Sequence, residues 1–305
     1  MIQVEYICGN TGCIHSGGNS IPFYQLKEKI WVLMDTGSLS IRKDLDEYLE
    51  KNHIQIRAVL CSHGHFDHTD NNRFLQKKYG AELILSVYDT GLLQNGTTLK
   101  SLFYSQTQRD NENYCGDMIC TADRMIFPNE TKIQIDDAVF QIKNLPGHAA
   151  SHLGFVTPDR VLYLADSLFG DSLLAKNQVF YMLNWTEALK TIEDMADLSY
   201  EKYILAHGGV CENLKDFCEN NLKTFSNMLD RFYDLFCQMA DSRMVGIDEV
   251  VNEAAGWYQI KSERYVPVRA FERIIRSMLE YFLENGKIIG NIKNGGVVYS
   301  STRSK

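Results

Sequence analysis

Residues 61–70 read Cys-Ser-His-Gly-His-Phe-Asp-His-Thr-Asp, so that His63, His65, Asp67 and His68 fall within six positions, directly after the apolar run Ala58-Val59-Leu60. Neutral imidazole and carboxylate are the ligands that borderline cations such as zinc take, and a site needs several of them converging. A single histidine is more often a satisfied surface or core residue. Four such groups in one short loop after a strand point to metal.

Five further apolar runs, at 30–34, 83–85, 139–142, 161–165 and 203–206, end on or shortly before a polar residue: Asp35, Ser86, His148, Asp166 and His207. Continuous β-branched and aromatic runs of this length read as buried strands. Polar groups at their carboxyl ends, in loops held by a rigid sheet, build a site without disturbing the core. Six of the eight histidines are used if His152 is counted with His148. Between the strands, residues 40–52 and 186–198 carry apolar positions at helical spacing, and a long helix is expected over about 213–240, with Leu214, Phe217, Leu222, Phe225, Leu229, Phe232 and Phe236 as its packing stripe.

A chain of 305 residues with 45% hydrophobic content can bury a full core and carry a second module. Its N-terminus lacks a basic region followed by an apolar core, and no stretch approaches a membrane span, so a cytoplasmic protein is expected. Eight cysteines with no pair at zinc-ribbon spacing fit a reducing compartment. Charge is unevenly distributed: residues 241–305 hold 10 Lys and Arg against 8 Asp and Glu, and the rest of the chain 21 against 31. The acidic part is a poor match for a polyanion.

The motifs together resemble the metallo-β-lactamase superfamily: His63-x-His65-x-Asp67-His68, Pro146-Gly147-His148, Leu164-Ala165-Asp166-Ser167, Ala206-His207-Gly208-Gly209 and the earlier Asp35-Thr36-Gly37, in the family's order over about residues 1–210. The resemblance implies an α+β chain, an αββα sandwich with two metals at one edge of the sheets. It places His63, His65 and His148 on the first metal, Asp67, His68 and His207 on the second, Asp166 between both, and Asp35 as a carboxylate that orders the ligand loop. His152 is assigned to packing or to hydrogen bonding behind the ligands, and nothing in the spacing of Cys211 demands function.

The chemistry implied is hydrolysis by a metal-bridged hydroxide, with Asp166 holding both cations and Asp67 also serving as proton acceptor. Two divalent ions are expected, zinc foremost, since sites of this kind also accept iron or manganese. The superfamily's diiron redox branch usually has a glutamate where this chain has His65, which argues against electron transfer. A polar insertion at 86–130 carries Tyr88, Phe103, Tyr104 and Tyr114 and reads either as a lid or cleft wall or as a solvent loop with its own small helix. Tyr181, Asn184 and Trp185 either line the cleft or belong to the core.

The last part is expected to be a winged helix: helices at 247–256 and 268–285, then a hairpin around Asn294-Gly295-Gly296. The expected division is therefore 1–210 catalytic, 211–240 a connecting helix, and 241–305 the winged-helix unit. Arg269, Arg273 and Arg276 share one face of the longer tail helix, either as a phosphate-contacting stripe or as a solvated face beside Glu272 and Glu280. A hydrolase with such a tail is similar to the β-lactamase-like protein 2 ribonucleases; the glyoxalase II thioesterases are the other branch, from which the chain departs in its tail and in lacking an evident glutathione-binding lysine and arginine cluster. The leading expectation is a small-molecule ester, thioester or lactone hydrolase. An RNA phosphodiesterase guided by the tail, and a non-catalytic metal-bearing regulator that binds nucleic acid, are the alternatives. The aromatic helix at 213–240 leaves room for a homodimer.

Overall fold

The computed structural model describes residues 2–16, 18–103, 106–176, 179–262 and 265–303. Tyr104, one of the insertion's aromatic residues, lies outside them. The first sheet contains seven strands in sequence order: β1 Gln3–Cys8, β2 Thr11–Ser16, β3 Asn19–Lys27, β4 Ile30–Met34, β5 Gln55–Leu60, β6 Glu82–Ser86 and β7 Arg124–Ile126. It is antiparallel through β4 and parallel from β4 to β7. The second sheet holds β8 Lys132–Ile135, β9 Ala138–Asn144, β10 Leu153–Val156, β11 Val161–Ala165, β12 Lys202–Leu205 and β13 Gly209–Cys211, antiparallel except for the β11–β12 pair.

Alternation along the strands explains why both faces read as apolar. In β4, Val32 and Met34 join the core between the two sheets while Trp31 and Leu33 join the core beneath the helices. In β11, Tyr163 and Ala165 face the inter-sheet core and Leu162 and Leu164 the opposite one. A sheet covered on both faces needs apolar residues at every position. Fully burying one such side chain contributes roughly 1.5–3 kcal/mol.

The helices complete four layers. Helices α1 Arg42–Lys51, α2 Phe66–Thr69, α3 Asn72–Tyr79, α4 Val87–Leu92, α5 Gly96–Leu102 and α6 Gln108–Cys115 precede the second sheet, and the insertion is thus largely short helices. Then come α7 Asp171–Leu174, α8 Trp185–Met195 and the 26-residue α9 Leu214–Met239, capped by Asn213, whose side chain accepts the Asp216 N–H. Phe225, Leu229, Phe232 and Phe236, spaced four, three and four apart, bury one face of α9 against the chain's own core.

The tail contains α10 Ile247–Trp257, α11 Tyr265–Glu284, and a third sheet in which β14 Val245–Gly246 and β15 Ile288–Lys293 flank β16 Gly296–Ser301. The Asn294-Gly295 corner of the hairpin has both residues in the left-handed region, φ 52° and 79°, as a two-residue hairpin turn demands. Phe271, Ile275, Met278, Leu279 and Phe282 of α11 continue the apolar cluster that begins at Leu145 and includes α8 and α9. Among the described residues, no helix is long and apolar enough to cross a membrane.

Candidate metal centre

Parallel pairing puts the carboxyl ends of β4 and β5 side by side, and those of β11 and β12 likewise, so the loops that leave them converge. Asp35 follows β4 at φ 65°, the 63–68 loop follows β5, Asp166 follows β11 and His207 follows β12. Ala165 has φ 45°, and the β11–β12 register shifts there, turning the next residue, Asp166, out of the sheet. A non-glycine residue in that region costs roughly 1–3 kcal/mol, strain that sits beside the residue the site uses. Gly147, at φ 126°, lets the 146–148 turn pass the backbone of α8, where a Cβ would lie 2.3 Å from the Ala188 Cα.

The expected residues come together in two groups. One nitrogen from each of His63, His65 and His148, and one atom from each of Asp67, His68, Asp166 and His207, lie within 4.8 Å of one another inside each group. His65 Nδ1 is 2.9 Å from His63 Nε2 and 3.0 Å from His148 Nε2. His207 Nε2 lies 3.1 Å from Asp67 Oδ2. Asp166 Oδ2 stands between the groups, 3.3 Å from His148 Nε2 and 3.4 Å from His68 Nε2.

The outer nitrogens fix the tautomers. His148 Nδ1–H donates to the Tyr181 carbonyl (3.1 Å) and His68 Nδ1–H to Asp35 Oδ2 (2.8 Å). Ser62 Oγ donates to Asp35 Oδ2, which leaves it to accept from His63 Nδ1 at 3.0 Å. Three imidazoles therefore turn their Nε2 atoms inward, the arrangement a cation requires. His68 Nε2 and Asp166 Oδ1 are buried without a hydrogen-bond partner. Buried polar atoms are rarely left so, and these two face the cluster; the donor set fits a cation in each group.

Charge divides the groups further. Burial, then the neighbouring imidazoles, hold His63 and His65 well below the usual histidine range, and burial lowers His148 as well, so this group is neutral at pH 7. In the other group burial opposes charge, but Asp166, Asp67 and Asp35 outweigh it and hold His68 well above its ordinary value. Asp166 moves the opposite way, its burial overcome by His68 and His207.

Asp35 supports the loop as the resemblance implies. Its Oδ1 accepts the Ser62 N–H at 2.7 Å, and Oδ2 accepts Ser62 Oγ (2.6 Å) and the Tyr163 hydroxyl (2.7 Å) besides His68. His152 stays behind the cluster: its Nε2 accepts the Asp166 N–H at 3.1 Å, and burial lowers its pKa to about 3. Cys211 is in the apolar core.

A cavity of about 390 Å³ opens over both groups, walled by Phe103, Phe169, Phe180, Tyr181 and Arg273. The insertion therefore does reach the cleft, through Phe103, whereas Tyr88 is exposed. Tyr181 lines the cleft; Asn184 instead caps α8 by accepting the Glu187 N–H, and Trp185 is core. The tail arginines do not form one stripe. Arg269 and Arg276 both pair with Glu272, while Arg273 turns inward, its guanidinium 5.1 Å from the Tyr181 ring centre, 5.4 Å from that of Phe103 and donating to the Tyr181 hydroxyl at 3.0 Å. Sequence reasoning missed Tyr163, Asp89 and Phe169, the last stacked on His207 with ring centres 6.2 Å apart. Phe169 had a signal, three residues after Asp166; the other two had none.

Comparison with known proteins agrees with this architecture. The sequence model of the metallo-beta-lactamase superfamily matches residues 18–207. The hydroxyacylglutathione hydrolase GloC of Haemophilus influenzae is 25% identical over 146 residues, 47% of this chain and 63% of that protein. Hydroxyacylglutathione hydrolase 1 of Vibrio vulnificus is 25% identical over 195 residues, 61% of this chain and 64% of its own length. The chain thus spans under two thirds of these curated relatives. The crystal structure of a beta-lactamase domain protein from Burkholderia ambifaria superposes with a TM-score of 0.70 at 13% identity, over 98% of this chain and 94% of that one, a likeness of fold that includes the tail. By the match over most of its length, this chain belongs to the metallo-beta-lactamase superfamily.

Proposed function

We propose that this protein is a cytoplasmic hydrolase that uses two divalent cations, zinc foremost, to cleave a small ester, thioester or lactone. The observation that carries this reading is the pair of inward-facing donor groups, with Asp166 between them, at the floor of a small aromatic cleft. His63, His65 and His148 hold one cation, Asp67, His68 and His207 the other, and Asp166 both. When bound, the cations acidify a water and polarise the substrate's carbonyl oxygen.

The chain's own residues do the rest. Asp67, 22% exposed, is the more open of the two carboxylates and accepts the proton of the attacking water. Phe169, Phe180 and Phe103 exclude bulk water and seat an apolar acyl group. Arg273 is the only Lys or Arg among the described residues lining this cleft, and it gives a substrate carboxylate its counter-charge. The curated relatives are named as hydrolases of an acyl compound, which supports acyl chemistry here. Eight free thiols agree with a reducing compartment. The order helix, helix, hairpin supports a winged-helix tail from residue 241, joined to a catalytic unit ending at 210 by α9.

Elemental analysis of the purified chain, run beside hydrolysis assays on a thioester, a lactone, a simple ester and a phosphodiester, tests the proposal. About two zinc per chain with turnover of one of the acyl compounds is the expected result. A chain without bound metal, or one that prefers the phosphodiester, overturns it.

A further inference from the structure

Asp89 lies in α4, in a stretch that holds no expected metal-binding residue, yet the residue is only 4% exposed. Two loops and the cap of its own helix converge on it. Its Oδ2 accepts the Ser151 hydroxyl at 2.6 Å and the Ser86 hydroxyl at 2.7 Å, and the two hydroxyl oxygens are 2.8 Å apart. The carboxylate also accepts the backbone N–H of Gly64, where a Cβ would lie 2.7 Å from Oδ1. Gly64 is the residue between His63 and His65, and Ser151 comes three after His148.

The start of α4 does not need this carboxylate, because Ser86 Oγ already accepts the Asp89 N–H at 2.9 Å as its cap. Burial of a carboxylate is costly, and it pushes the Asp89 carboxyl up to about 6. What the group accomplishes is to join the two loops whose histidines, His65 and His148, meet at 3.0 Å. Asp35 does the same for His68 on the other side of the cluster.

We propose that Asp89 is a positioning residue for the His63, His65 and His148 group, clamping the 63–65 loop to the 148–151 loop through Gly64 and Ser151. This rests on the reading of those histidines as holding one cation. Partners behind the ligands of a metal site set its affinity, typically by 10- to 100-fold.

The test is zinc titration of the full chain against a chromophoric chelator, for the parent protein, Asp89→Asn and Ser151→Ala, with thermal unfolding of each metal-free protein alongside. Asp89→Asn should weaken one of the two zinc equivalents by about 10- to 100-fold and leave the other near its parent value, with Ser151→Ala shifting the same equivalent less. In the cobalt-substituted protein, the visible spectrum of that one site should change. Two equivalents bound as in the parent by both variants sink the inference and leave the proposed metal site standing; so does an equal weakening of both together with a lower melting point of the metal-free chain. A parent protein that takes up fewer than two zinc removes both readings. Should Asp89→Asn not fold, Ser151→Ala decides alone.

Discussion

The histidine and aspartate cluster and the C-terminal hairpin are opposites in how they treat polarity. In the cluster, polar side chains are inside: His63, His68 and Asp35 are at most 2% exposed, and the outer nitrogens of three histidines each have a partner. In the hairpin, apolar side chains are outside: Ile292 is 83% exposed and Val297, its partner across the strands, 56%. The first region is over-determined, because removing one group leaves several others buried and unpaired, at about 1–3 kcal/mol each. The second is held by backbone pairing and by Ile288 at its base, so its side chains are nearly independent.

Substitutions can break or sharpen this contrast. His65→Ala should lower the zinc content and reduce hydrolysis by about a thousandfold or more, with the fold intact by circular dichroism; unchanged turnover would refute its place in the site. Asp35→Ala strands Ser62, His68 and Tyr163 together and should cost about 3–5 kcal/mol in denaturant unfolding of the metal-free chain. Ala165→Gly acts in the opposite direction: relief of the positive φ should raise stability by about 0.5–1 kcal/mol, read as a higher urea midpoint at unchanged slope. At the hairpin, Ile292→Ser should move stability by no more than about 0.5 kcal/mol. An effect there as large as that of Asp35→Ala would erase the distinction between the regions.

Much of the molecule was legible because its signals were local. The runs at 30–34 and 161–165 coincide with β4 and β11, and those at 83–85 and 139–142 fall inside β6 and β9, since apolar residues on both faces leave a continuous stretch. The long helices were marked by stripes at three- and four-residue spacing. Strands β1 to β3 gave no such run: Glu5, His15, Ser20 and Pro22 interrupt them, and β1 is exposed at alternate and adjacent positions alike. The seven expected site residues converge because they share loops or strand ends that the motifs reveal. Asp89 and Tyr163 did not declare themselves, because each acts across more than 60 positions of chain, on Ser151 and Asp35 respectively. The place of Arg273 was hidden for a related reason: helical spacing puts the three arginines on one face, where Arg269 and Arg276 do pair with Glu272, but only the packing of α11 against Tyr181 decides that Arg273 points into the cleft.

The separation of duties within the cleft also bears on how the protein can change over generations. The donor atoms come from loops at the ends of the two sandwich sheets, whereas Phe103, Tyr181 and Arg273 come from an insertion, a connecting loop and the tail. Side-chain changes at Phe103 and Arg273 can reshape the cleft wall without touching the Tyr181 carbonyl or the other groups that hold the outer nitrogens of the histidines. New preferences can therefore be tried one at a time while the reactive machinery is inherited unchanged.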